Sequence, residues 1–162
     1  MIREKIITKT IDGNKGFTII EIIAVLIIIG ILSVIVMMRG SGTEEAQLQA
    51  EVDTLKSHLR YAQYRAMNDI PPIKWGIQIS GSSYSLVRNQ NGDGTSFDSP
   101  FILPGESSAT HTFGAPVTAT AINILFDEWG SPYNAATKLS ANATISMGSK
   151  SIIVTAATGF IP

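Results

Sequence analysis

Lys15-Gly16-Phe17-Thr18-Ile19-Ile20-Glu21 opens an apolar run that lasts to Met38. The run is 22 residues long and holds one ionisable side chain, Glu21. About 20 apolar residues span the hydrocarbon core of a bilayer as a helix. The run is rich in Ile and Val, which in water leaves helix and buried strand as rivals. In lipid every backbone group must be satisfied within the segment, so the reading is a membrane helix over 17–38. A carboxylate near the start of such a helix is costly unless something pairs with it, so Glu21 expects a partner. Gly30 reads equally as a site of close helix packing or as a point where the helix unwinds when subunits pack.

Upstream, residues 1–16 carry Arg3, Lys5, Lys9 and Lys15 against Glu4 and Asp12, a balance of +2. The rest of the chain is mildly acidic, at -3. Basic residues before an apolar helix favour a cytoplasmic N-terminus and a C-terminal domain across the membrane. An ordinary secretory signal fits less well, because it would be shorter, lack Glu and end in an A-x-A-like site. The run instead ends in Met38-Arg39-Gly40-Ser41-Gly42.

Downstream, Leu48, Val52, Leu55, Leu59, Ala62 and Ala66 recur at steps of 4, 3, 4, 3 and 4. That spacing is one apolar stripe on a helix. Thr43-Glu44-Glu45-Ala46 reads either as a helix start or as an acidic patch on a continuing helix. Arg60 and Arg65 lie near its end, and Pro71-Pro72 stops it. An unbroken helix would cover 17–68. A heptad stripe alone permits a coiled coil, but the strand-like sequence that follows favours packing on the chain's own sheet.

Residues 71–162 read as β. Trp75, Ile77 and Ile79 alternate, Ser80-Gly81-Ser82 turns, and Tyr84 and Leu86 alternate again. Residues 98–116, with three prolines, read as irregular with short edge strands at most. Ile122, Ile124 and Phe126 alternate, and a second hairpin is centred on Gly148-Ser149. Five or six short strands, one amphipathic helix and no βαβ alternation give the fold class: α+β, a long N-terminal helix on a C-terminal antiparallel β-sheet.

Gly16-Phe17-Thr18-x-x-Glu21 ahead of the apolar run resembles the leader junction of type IV prepilins and type II secretion pseudopilins. The resemblance implies that prepilin peptidase cuts between Gly16 and Phe17 and methylates the new Phe17 amine. It implies that Glu21, the fifth mature residue, meets the N-terminal amine of a neighbouring subunit. The leader is then 1–16, the membrane helix 17–38, the outward stem 39–70 and a periplasmic β domain 71–162. The implied partners are other pilin or pseudopilin subunits, prepilin peptidase, the inner-membrane assembly platform and membrane lipid. Phe126-Asp127-Glu128-Trp129-Gly130-Ser131-Pro132 and the ending Thr158-Gly159-Phe160-Ile161 are similar to GspH/FimT-type minor pseudopilins. Met38 stands where many major pilins have a kinking proline, which implies a straighter stem. With the absence of a C-terminal cysteine pair, this implies a minor subunit.

No catalytic set, cofactor site or metal site is read from the sequence. Asn89-Gln90-Asn91-Gly92-Asp93-Gly94 has the outline of a calcium loop, but one acid, and Pro100 at the twelfth position, favour a plain hairpin loop. His58 reads as solvated on the stem, and His111 as an isolated residue in the irregular stretch. Adjacent Asp127 and Glu128 would face opposite sides of a strand, which leaves Asp127 a turn-stabilising role. The serines have no His or Lys motif beside them. From Lys74 onward the basic residues are only Lys74, Arg88, Lys138 and Lys150, too few for a phosphate-binding surface. A subunit that binds DNA or a substrate at a filament tip is the alternative reading.

Overall fold

The structure is a computed structural model describing residues 16–162, without the side chains of 34–41. The expectations for residues 1–15 and for Met38 and Gly40 lie outside these. Contacts divide the chain into two units, Met1–Ser41 and Gly42–Pro162. One helix element, α1 (Ile19–Met67), contributes to both.

In the first unit, α1 begins at Ile19 because Thr18 caps it. The Thr18 hydroxyl accepts from the Glu21 amide at 3.3 Å, and the Thr18 carbonyl accepts from the Glu21 and Ile22 amides. A Thr followed three residues on by Glu is a recognised helix-start pattern. Within the run the Ser33 hydroxyl donates to the Ile29 carbonyl at 2.8 Å, so its polar atom is satisfied inside the helix. A Cβ added at Gly30 would meet no atom within 4 Å.

In the second unit, the 4-3 stripe is the packing face. Val52, Leu55, Leu59, Ala62 and Ala66 are buried, and Leu48 packs beside them. The helix stops at Met67, where the Asn68 side chain donates to the Tyr64 carbonyl at 2.7 Å. Asp69 then turns the chain. Its carboxylate accepts from the Ile70 amide at 2.8 Å and from the Trp75 indole at 2.7 Å. Trp75 is buried, with the Arg65 guanidinium 4.1 Å from its ring centroid.

Eight strands follow: β1 (Lys74–Ile79), β2 (Ser83–Asn89), β3 (Thr110–Thr112), β4 (Ile122–Phe126), β5 (Pro132–Asn134), β6 (Thr137–Lys138), β7 (Ala143–Met147) and β8 (Lys150–Val154). The first six form one antiparallel sheet in the order β3-β2-β1-β4-β5-β6. β7 and β8 form a separate two-stranded sheet. The fold is α+β, as expected, but with more strands and two sheets. β5 and β6 escape a reading by alternation because they are short and polar, and only pairing defines them. β3 is an edge strand, in keeping with the short edges expected in 98–116.

Ile77 sits between Leu86 and Ile124 in register, at the centre of the larger sheet. Ile77, Leu86, Ile124, Ile145, Ile152 and Val154 share one core with the α1 stripe. Gly76 has no room for a Cβ, which would collide with the Ile124 carbonyl and Leu125 backbone. The chain's last residues are tied to α1. Arg60 donates to the Ile161 carbonyl at 3.0 Å, and Gln63 to the Gly130 and Thr158 carbonyls at 3.0 and 3.2 Å.

Candidate functional site

Two places hold the residues of interest, and they lie in different units. The first is the start of α1. Phe17 is 81% exposed, and Phe17, Glu21, Ile22, Val25 and Leu26 line a shallow apolar groove along one face of the helix. A Cβ at Gly16 would meet nothing within 4 Å. Among the described residues, the Glu21 carboxylate has no hydrogen bond or ion pair. The arrangement is a carboxylate on an open apolar face, beside the first aromatic residue of the run. A carboxylate in an apolar setting is costly unless a cation pairs with it.

The second place was not legible as a cluster in the sequence. His58 is buried, not solvated. Its Nδ1 accepts from the Tyr84 hydroxyl at 2.8 Å, and its Nε2 donates to the Pro104 carbonyl at 3.1 Å. The Tyr84 hydroxyl can donate or accept, and the lowered pKa of His58 favours the neutral ring, in which Nδ1 accepts. Burial lowers the His58 pKa, aided by nearby His111 and opposed by the Pro104 carbonyl and Glu106. Burial, followed by the charges of Glu106 and Glu51, pushes the Tyr84 hydroxyl up, so it remains a donor.

His111 lies in β3, one of the short edge strands expected in 98–116, but it is not isolated. Its Nδ1 is 2.7 Å from Glu106 Oε1 and its Nε2 is 2.9 Å from Glu51 Oε2. The other Glu51 oxygen accepts from the Gly114 amide at 2.9 Å. Burial is the largest single influence on His111 and pulls its pKa down. The hydrogen bonds and charges of Glu51 and Glu106 together outweigh it, so the pKa is raised. One sequence signal was available: Glu51 and His58 fall at steps of 4, 3 and 4 with Leu55 and Ala62 of the apolar stripe, and so lie beside it on the helix. Nothing in the sequence places Tyr84, Glu106 and His111 against that flank.

The remaining candidates resolve as turn chemistry. Asp127 is buried in the turn after β4, and its Oδ1 accepts from the Trp129 and Ser131 amides at 3.0 and 2.8 Å. The turn-stabilising reading therefore holds, although Asp127 and Glu128 lie beyond the strand and not on it. In the 89–94 loop, Asn89 Oδ1 accepts from the Gly94 amide at 3.0 Å. Asp93 Oδ1 accepts from the Thr95 and Ser96 amides at 2.9 and 3.0 Å and from the Asn89 side chain at 2.7 Å. Those bonds, led by the Thr95 amide, hold the Asp93 carboxyl below the usual carboxylate range. The loop's oxygens serve its own backbone. Among the described residues no group of His, Cys, Asp and Glu is arranged to hold a metal ion.

Residues 12–37 match the family model described as the prokaryotic N-terminal methylation motif. The match brackets Gly16, Phe17 and Glu21. No curated protein and no solved structure matches the chain. Among the described residues no helix is long and apolar enough to cross a membrane. The described side chains of the apolar run stop at Ser33, whereas the run itself continues to Met38. The motif supports a type IV pilin-like subunit, processed by prepilin peptidase and assembled with other pilin subunits.

Proposed function

We propose that the chain is a minor pilin or pseudopilin. It is a structural subunit of a type II secretion pseudopilus or type IV pilus. In this reading prepilin peptidase cuts after Gly16, Phe17 becomes a methylated N-terminus, and 17–38 anchors the subunit in the inner membrane. The β domain lies on the periplasmic side. Glu21 pairs with the terminal amine of a neighbouring subunit, which relieves the cost of its charge in an apolar setting and fixes the register of assembly.

The observation that carries this reading is the coincidence of the methylation-motif match with a capped helix start bearing an exposed Phe17 and a Glu21 carboxylate without a partner among the described residues. Mass spectrometry of the protein recovered from membranes gives the first test. A mature chain starting at methylated Phe17 is expected, and any other start refutes the processing step. Glu21→Ala is expected to leave membrane insertion intact and abolish cross-linking between subunits. Normal cross-linking would refute the pairing role.

The alternative is a DNA- or substrate-binding tip subunit, and its DNA-binding form has weaker support. Arg88 is paired to Asp98 at 2.6 Å, Lys138 donates to Ser131 at 3.0 Å, and Lys150 lies 3.3 Å from Glu45. Lys74 donates to the Gly92 carbonyl at 2.6 Å. The few basic groups of the β domain are thus held by intramolecular partners.

A further inference from the structure

Glu51, His111 and Glu106 join three parts of the domain that are remote in sequence: α1, the edge strand β3 and the loop leading to it. Their side chains are 14%, 15% and 24% exposed. Both ring nitrogens of His111 face a carboxylate oxygen at under 3 Å. An ionised carboxylate only accepts hydrogen bonds, so both contacts are made only by the imidazolium, which carries two N–H groups. A neutral ring carries one and turns a lone pair toward the other carboxylate.

We propose that these three side chains form a proton-dependent clasp that holds β3 and residues 101–114 on α1, closed while the His111 ring carries both hydrogens and opened when it gives one up.

Besides the clasp, β3 pairs with β2 through Thr110, His111 and Thr112, Phe101 bridges Leu86, the Phe113 amide donates to the Ser82 carbonyl, and His58 holds the Pro104 carbonyl. The clasp adds to these contacts, and its opening loosens the segment locally. Glu51 also fixes the Gly114 amide, so its release loosens the chain beyond β3. Leu103 and Phe113 are buried on either side of the clasp and are uncovered as it opens. The titratable groups facing the ring are Glu51 and His58 from α1, Tyr84 from β2 and Glu106 from the loop. His58 lies 6.3 Å from His111 between ring centroids, and burial favours its neutral form beside the imidazolium. The cluster thus holds one cation between two anions. The clasp is intact at acidic to neutral pH and released as pH rises.

The test uses the full chain in detergent micelles. Amide hydrogen exchange, corrected for its intrinsic pH dependence, is followed over 101–114 from about pH 6 to about pH 9, and NMR of the ring reports the His111 titration in the same sample. Protection in 101–114 is expected to fall roughly tenfold as His111 deprotonates, the scale of one charge-assisted hydrogen bond, while β1 and β4 stay protected. Protection that is unchanged across the titration overturns the clasp, as does a midpoint at or below about 6.5, the ordinary histidine value. In His111→Gln the pH dependence of 101–114 is expected to vanish, and its persistence would also overturn the proposal. Glu106→Gln should move the opening to lower pH. The wild-type measurement decides the matter even if either variant fails to fold.

Discussion

The large apolar side chains in the two parts of α1 meet opposite fates. Ile19 is 79% exposed and Ile23 49%, whereas Leu55 and Leu59 are fully buried. The early part is apolar on all sides, so no single face can satisfy it and it needs an apolar surrounding or partners. The later part confines its apolar residues to one stripe and offers polar residues elsewhere, so the chain's own sheets cover it. Helix formation is common to both. Whether a helix is completed within its chain or by something outside it depends on how its apolar residues are distributed around the axis.

The contrast can be broken by substitution. Leu59→Ala removes a buried side chain from the shared core and should lower the domain's unfolding free energy by about 2–5 kcal/mol, read from urea unfolding of the full chain in micelles. Gly159→Ala tests the tail's fit. Gly159 has φ +66, and a Cβ there would collide with the Gly130 carbonyl. Left-handed backbone alone costs a non-glycine residue about 1–2 kcal/mol, so a loss at least that large is expected in the same titration. Leu26→Ala, in the exposed groove, should change the unfolding free energy by less than about 0.5 kcal/mol. A loss comparable to that of Leu59→Ala would mean that the domain itself covers the early part of α1, and the contrast would fail.

The two histidines sharpen the contrast on a second axis: the later part of α1 carries His58 into the core and Glu51 against His111 of β3, whereas Glu21 in the early part is exposed. His58 has a lowered folded pKa, so below about pH 6.5 the unfolded chain takes up a proton that the folded one refuses. Its contribution to stability is complete above that value and falls away as pH drops through the folded pKa. His111 has a raised folded pKa, so its contribution is complete below about pH 6.5 and is lost as pH rises through the folded value. Opposed slopes are therefore expected on the two sides of neutrality. His58→Phe should flatten the acid side and His111→Gln the alkaline side in thermal unfolding followed across pH. Steepening of either side would reverse the assignment.

By itself the sequence determined the apolar run with its single acid, the 4-3 stripe of the stem and the two main hairpins. These features are local: helical and strand periodicity and turn glycines act over a few positions, and each left its spacing in the chain. The N-terminal methylation motif that residues 12–37 match was legible for the same reason. What only the tertiary structure decided is the company the stem keeps. β5 and β6 carry no alternation and exist because they pair. His58 looked like a surface residue until Tyr84 and the Pro104 carbonyl were brought to it, and His111 looked isolated although Glu51 stands 60 positions earlier in the chain. Pairings at that separation are fixed by strand order and by how the core closes, and neither leaves a local spacing to read.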